Sequence, residues 1–451
     1  MATSGKPLVS KHHAWSALTL AVSLTGVGAV ARADALSDLR EQTEALQRKV
    51  NELDKVNELE NAQRKTAPDG ALTAGSTPGS FRLPDSSTSI KLGGYVKFDA
   101  VYSDITQGVD AVANQQTVDT AIPVGPTGTP ASNKTGELSL HARQTRLNLA
   151  TSTPTSYGSM TTFIEGDFFG ADGNESATNS SGFRIRHAYG ALGNFLAGQY
   201  WTNLFDENAY AETVEFGGPV GEIFVRQAQA RWTQPFATGE WSVSLENPES
   251  LFAVSGSPLT AGSATTFRSD RDHYPDIIGR LKWKNEIGTF NSALMARNIR
   301  IDSATADDAK WGEAISLTEV VPLGRDDLRA NVNVGNAIGR YQLSGFFPDG
   351  YVDATGKVRL ARAKSAYVAY RHFWSPTLRS SLILSASGTD TPGGGTFNGF
   401  NKSARSAHVN LMFSPVPRVN LGMELIGERR TVVDGDFGTL RRVQLAAQFL
   451  F

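Results

Sequence analysis

From Ile90 onward, apolar and polar residues alternate with a period of two. Ile90, Leu92, Gly94, Val96, Phe98, Ala100 and Tyr102 fall on one face of a strand, and Lys91, Gly93, Tyr95, Lys97 and Asp99 on the other. A strand with one lipid-compatible and one wet face suits a wall between hydrocarbon and water. It is too polar for a sandwich whose second face is core. The pattern recurs near 90–103, 138–151, 158–169, 182–192, 194–202, 223–234, 240–248, 276–284, 287–299, 312–321, 328–340, 361–374, 377–388, 402–413, 418–430 and 439–451. These sixteen strands predict an all-β, antiparallel transmembrane barrel, since only a closed barrel leaves no unpaired edge in lipid.

The connections support closure. Short turns (154–157, 235–239, 323–326, 375–376, 414–417) alternate with long polar loops (104–137, 170–181, 203–222, 249–275, 300–311, 341–360, 389–401), which places the long loops together at one end. Tyr102, Trp232, Trp241, Trp283, Phe373, Trp374 and Phe413 fall near strand ends, where interfacial aromatics belong. The last strand carries Val443, Leu445, Ala447, Phe449 and Phe451 on one face. An aromatic residue in that position is the kind of terminus the bacterial barrel-assembly machinery reads, so Phe451 is expected to engage it.

Upstream of Ile90 the pattern changes twice. Lys6, Lys11, His12 and His13 precede a mostly apolar run from Ala14 to Val30, and Ala31-Arg32-Ala33 offers a small-x-small cleavage site. Residues 1–33 are therefore expected to be a secretory signal, with the mature chain starting at Asp34; an uncleaved membrane anchor is the alternative reading. Residues 34–65 follow a heptad. Leu36, Thr43, Val50 and Asn57 alternate at 3-4 spacing with Leu39, Leu46, Leu53 and Glu60, which predicts a short periplasmic coiled-coil helix. A solvated single helix joining leader to barrel is the simpler reading. Residues 66–89, with Pro68, Gly70, Gly75, Pro78, Gly79 and Pro84 among serines and threonines, read as a flexible linker to a barrel spanning 90–451.

Composition narrows the chemistry. The 451 residues include no cysteine, which excludes thiol redox and thiolate metal sites. Loss of the leader removes Lys6, Lys11 and Arg32 and no acid, taking the formal charge from −2 to −5, and nothing suggests nucleic acid. His141, His187, His273, His372 and His408 show no close metal-ligand spacing, and neither a phosphate-binding glycine loop nor a nucleophile elbow is present. No metal, cofactor or catalytic residue is expected.

A sixteen-stranded barrel encloses an aqueous channel, so inward residues decide function. Opposite the apolar positions stand Lys91, Lys97, Arg146, Arg184, Arg186, Gln227, Gln229, Arg231, Arg280, Lys282, Lys284 and Arg379. Of these, Lys97, Arg146, Arg184, Arg186, Arg231, Arg280, Lys282 and Arg379 are the candidates for contact with solute. A basic lumen favours anions, and arginine matches carboxylate with a planar fork. A wall braced by ladders, with Asp99, Glu165, Asp167 and Glu424 as partners, is the competing reading. The loop 203–222 carries Asp206, Glu207, Glu212 and Glu215 and would form the opposite side of a constriction if it folds inward.

The leader, the leucine-rich helix, the linker, the opening strand Ile90-Lys91-Leu92-Gly93-Gly94-Tyr95-Val96-Lys97-Phe98-Asp99 and the stretch Arg143-Gln144-Thr145-Arg146-Leu147 together resemble the DcaP-like outer-membrane porins. The resemblance implies an outer-membrane homotrimer, joined through barrel walls and coiled coil, for passive uptake of small anionic solutes such as dicarboxylates. A general or sugar-type porin without anion preference is the alternative. An outer-membrane hydrolase using His141 or His187 with a serine, and a structural tether to the cell wall, are readings from other classes.

Overall fold

The computed structural model describes residues 44, 47, 48, 51, 55, 71–105, 122–124, 134–174, 177–253, 266–269, 271–303, 306–343, 345–353, 355–391 and 399–451. The chain divides into two units, one of residues 1–73 and 83–85 and one of residues 74–82 and 86–451. In the first, Glu44, Gln47, Arg48, Asn51 and Lys55 are helical, and Arg48 Nε donates to the Glu44 carbonyl at 3.3 Å. The leader, the cleavage site before Asp34, the leucine seam and Asn57 lie outside the described residues.

The second unit is a closed antiparallel barrel of sixteen strands. They are β1 (Ser89–Ile105), β2 (Lys134–His141 and Arg146–Thr155), β3 (Gly158–Asn174), β4 (Ser180–Leu192), β5 (Phe195–Trp201), β6 (Arg226–Phe236), β7 (Gly239–Glu246) and β8 (Asp276–Lys284). The second half comprises β9 (Thr289–Asp302), β10 (Asp307–Leu323), β11 (Asp326–Asn336), β12 (Arg362–Phe373), β13 (Leu378–Thr389), β14 (Asn401–Phe413), β15 (Val419–Val432) and β16 (Phe437–Leu450). Each strand pairs with its successor, and β16 closes the wall on β1 from Leu440↔Ile105 to Leu450↔Tyr95. At the seam the Phe451 amide donates to the Gly94 carbonyl. Gly94 adopts φ of 144°, and a Cβ there would lie 2.1 Å from the Arg146 carbonyl oxygen, so the close approach of β1 to β2 requires glycine.

The alternation has the expected physical result. On β1, Leu92, Val96, Phe98 and Tyr102 are exposed on the outer wall, while Lys97, Asp99, Val101 and Ser103 are buried inside. The other strands repeat this, and Trp232, Trp241, Trp374 and Phe413 are exposed outward near the short-turn end. One expected strand is interrupted: residues 142–145 leave the ladder between the two segments of β2, and the Lys97 amide donates to Thr145 Oγ1 at 3.2 Å in place of a ladder bond.

The largest apolar core lies inside the barrel rather than in its wall. Residues 202–225, between β5 and β6, turn into the lumen with Leu204, Ala209, Val220 and Ile223 at or below 1% exposure. They meet a second inward segment that carries Ile338, Tyr341, Phe346 and Phe347, also nearly inaccessible. The reading of 341–360 as an external polar loop is therefore corrected. Its aromatic residues would be costly in water, and burying them against the first loop stabilises both.

A fully buried arginine fixes the second segment. Arg297 on β9 bonds Asp276 at 3.1 Å and Asp349 at 3.0 Å, and donates to the carbonyls of Ala337 (2.9 Å) and Glu249 (2.5 Å). Asp276 also accepts from Arg340 (3.0 Å) and the Tyr341 hydroxyl (2.6 Å). Replacing Asp276 with Ala leaves Arg297 and Arg340 without that carboxylate. The expected cost is about 3–5 kcal/mol, read as a lowered midpoint for loss of the folded, heat-modifiable band on gels. An unchanged midpoint would refute this role for the network.

Candidate functional site

The inward loop 202–225 meets the wall through charge and hydrogen bonding and also through apolar packing, as where Ala211 joins Tyr367, Ala369 and Ile383. Asp206 bonds Lys282 at 3.0 Å, and Glu212 accepts from Nη2 and Nε of Arg379, at 2.7 and 2.9 Å, with Arg371 3.5 Å away. The loop's carbonyls are also used. Lys97 Nζ donates to Val214 (2.6 Å), Arg280 to Phe205 (3.3 Å), the Tyr367 hydroxyl to Ala209 (2.7 Å), Asn410 to Glu212 (2.6 Å) and Arg329 to Tyr210. In the opposite sense, Glu424 Oε2 accepts the amides of Val214 and Glu215, both at 2.8 Å. Arg231 donates to the carbonyl of Trp201 at the loop's base, at 2.5 Å.

The eight basic candidates thus divide by position. Lys97, Arg231, Arg280, Lys282 and Arg379 hold the loop or its base. Arg146 and Arg186 line a cavity of about 530 Å³ between the loop and the wall formed by β1 to β5. Arg184 stands beside them, 2.6 Å from Asp167. The loop acids divide the same way. Asp206 and Glu212 are tied to the wall, while Glu207 and Glu215 line the cavity. Lys91 and Lys284 are exposed at the short-turn end. The bracing partners expected from sequence are also present: Asp99 with Lys97 (3.0 Å), Glu165 with Arg186 (2.8 Å) and Arg146 (3.7 Å), and Asp167 with Arg184 and Arg186.

The cavity is aromatic as well as charged. Tyr95, Phe163, Tyr189, Tyr200 and Phe216 contribute to its lining. The guanidinium carbons of Arg146, Arg184 and Arg186 all lie within 6 Å of the Phe216 ring centroid, at 5.9, 5.3 and 5.4 Å. Glu207 accepts from the Tyr200 hydroxyl at 2.5 Å. Arg226 sits against Trp201 and Phe224, at 5.0 and 5.7 Å, with no carboxylate in ion-pair range among the described residues. Period-two reasoning selects inward positions but cannot reveal these aromatic partners, because Phe216 and Phe224 lie in a loop without periodicity.

From its place at the cavity, Glu215 also reaches a buried polar cluster: Glu215 and Glu222 are buried, as are His408, Glu424 and Glu428 on β14 and β15. Atoms of Glu215, His408 and Glu428 come within 4.8 Å of one another. Burial, and then the nearby Glu215 carboxylate, push the Glu222 carboxyl well above the ordinary carboxylate range. A carboxyl raised in this way costs nothing below its unfolded pKa and increasingly destabilises the fold as pH rises above it. Glu222→Gln should therefore raise the thermal midpoint by a few degrees at pH 7 and leave it unchanged near pH 4. A loss of stability at pH 7 would show that Glu222 is held ionised.

The chain matches the model of the DcaP outer membrane protein family over residues 22–451. Among solved structures it is similar to the outer membrane channel DcaP of Acinetobacter baumannii, with a TM-score of 0.66 at 23% identity over 84% of this chain and 100% of that one. It is also similar to an anion-selective porin from Comamonas acidovorans, at TM-score 0.49 and 13% identity over 81% of this chain and 100% of that one. OmpT of Vibrio cholerae follows at TM-score 0.48 and 7% identity, over 81% and 98%. No curated protein matches it. With the match extending from residue 22 to residue 451, the chain belongs to the DcaP outer membrane protein family.

Proposed function

We propose that this outer-membrane, porin-like channel passes small hydrophilic solutes by diffusion and prefers anions, dicarboxylates among them. The carrying observation is the arginine-rich wall of the cavity. Arg146 and Arg186 face the passage side by side and share Glu165, and Arg226 stands one layer behind. Guanidinium forks match carboxylate oxygens and lower the barrier for anions while raising it for cations. Glu207 and Glu215 on the loop side supply negative charge opposite, so a solute crosses a transverse field rather than a uniformly basic tube. The aromatic lining of Tyr95, Phe163, Tyr189 and Tyr200 favours a second reading, passage of neutral sugars, whose ring faces stack on such side chains.

No catalytic step forms part of this proposal. It extends to removal of residues 1–33, to a homotrimer held by barrel walls and the heptad segment, and to recognition of Phe451 by the assembly machinery. In planar bilayers under a salt gradient, the reversal potential should have the sign of anion preference. Arg146→Ala with Arg186→Ala should remove roughly half of that preference or more. A cation-selective sign overturns the proposal. Block of single channels by maltose in preference to succinate would favour the sugar reading.

A further inference from the structure

Three arginines cluster on one stretch of the outer wall, where lipid is expected. Arg405 on β14, Arg429 on β15 and Arg441 on β16 are exposed, whereas their sequence neighbours Ala404, Ser406, Glu428, Arg430 and Arg442 are buried in the lumen. The register fixes their arrangement. Arg405 pairs directly with Arg429, and Arg441 stands opposite Gly427 and Asp104 one row nearer the short-turn end. Below them the outward rows are apolar: Val409, Leu425, Val443 and Tyr102, then Leu411, Met423, Leu445 and Ala100, then Phe413, Leu421, Ala447 and Phe98.

Depth follows from that ladder. From the lowest apolar row to Arg405 and Arg429 is eight residues along the strand. At about 3.3 Å per residue and a tilt near 40°, this is about 20 Å of height, close to the top of an outer-membrane barrel's apolar band of about 25 Å. The arginines therefore lie at the level of the outer-leaflet headgroups, at the long-loop end. Like charges directly opposite on neighbouring strands repel unless an anion lies between them. None of the three has a carboxylate within ion-pair distance among the described residues, although the Arg429 guanidinium packs 4.0 Å from the Phe437 ring centroid.

The surface is shaped as well as charged. Ser403, Arg405, Arg429 and Thr431 enclose a concavity of about 200 Å³ with a polar lining. Beneath it lies a mainly apolar groove of about 440 Å³, whose lining includes Ala407, Val409, Leu425 and Gly427. A Cβ placed on Gly427 would meet no atom within 4 Å, so a side chain at this position would project into the open groove.

We propose that this face binds an outer-leaflet lipid with a phosphorylated headgroup: phosphate between the forks of Arg405 and Arg429, Arg441 beside the upper chain, and an acyl chain along the Ala407–Gly427 groove. Arginine suits the headgroup because its planar donors engage two phosphate oxygens at once.

The full-length protein in detergent is titrated with bisphosphorylated lipid A and with the same lipid after removal of its phosphates, with native mass spectrometry counting bound lipid. Wild type should retain the phosphorylated lipid at least tenfold better than the dephosphorylated one. R405A/R429A should lose that difference while keeping its heat-modifiable gel mobility. R405K/R429K, which keeps the charge and removes the fork, should fall between them and serves if the alanine variant folds poorly. Gly427→Leu should weaken binding without altering charge. Equal binding of the two lipids by wild type, or of the phosphorylated lipid by wild type and the lysine variant, overturns the proposal. So does full competition by millimolar inorganic phosphate, which would make the patch a site for free anions.

Discussion

The interior of a barrel this wide is the constraint on which the rest of the structure depends. Side chains pointing inward from sixteen strands cannot meet across the middle, yet the wall presents a dense set of charges there. Such charges need water or partners. Here they receive a loop: residues 202–225 bring Asp206 and Glu212 to Lys282 and Arg379, and offer carbonyls to Lys97, Arg280 and Arg329. Once inside, the loop's own apolar residues create a second problem. The segment carrying Tyr341, Phe346 and Phe347 answers it by packing against Leu204, Val220 and Ile223. The polar wall and the apolar lumen core are thus mutually dependent.

The division between what sequence reveals and what it hides follows from the same physics. Strand positions were legible because each strand separates two solvents, and the alternation of Leu92, Val96 and Phe98 with Lys97 and Asp99 records this directly. All sixteen strands lie where the alternation places them, to within a few residues at most ends. The destination of the loops was not legible. The contacts of Glu212 with Arg379 and of Val214 with Lys97 span 167 and 117 residues, with no local periodicity to betray them. The three aromatic residues at 341, 346 and 347 were the available signal for the second inward segment, because a solvated loop has little use for them. The heptad is a pattern in sequence alone, because its leucine seam lies outside the described residues.

The site was half legible. Direction along β2 and β4 identified Arg146, Arg184 and Arg186, and the acids expected to brace them do so. What direction could not supply was a division of labour, since an inward arginine that ties down a loop carbonyl looks the same in sequence as one that meets solute. Arg226 and Phe216 were missed altogether: the first opens a strand, and the second becomes important only because the loop lays its ring beneath three guanidiniums. The similarity to the Acinetobacter channel, at 23% identity, fits this picture of a fold fixed by alternation rather than by particular side chains.

The way the inward loop is fastened has a mechanical consequence. Its attachments reach β1, β8, β11, β12, β13, β14 and β15, through Lys97, Arg280, Arg329, Tyr367, Arg379, Asn410 and Glu424. A segment tied at so many points around the circumference behaves as an internal truss, not as a hinged flap. Widening the bore by swinging it aside would mean breaking most of those ties together. For this loop the less costly adjustment is rotation of individual rings and guanidinium groups, which belongs to the fast timescale of side chains rather than the slow one of domains.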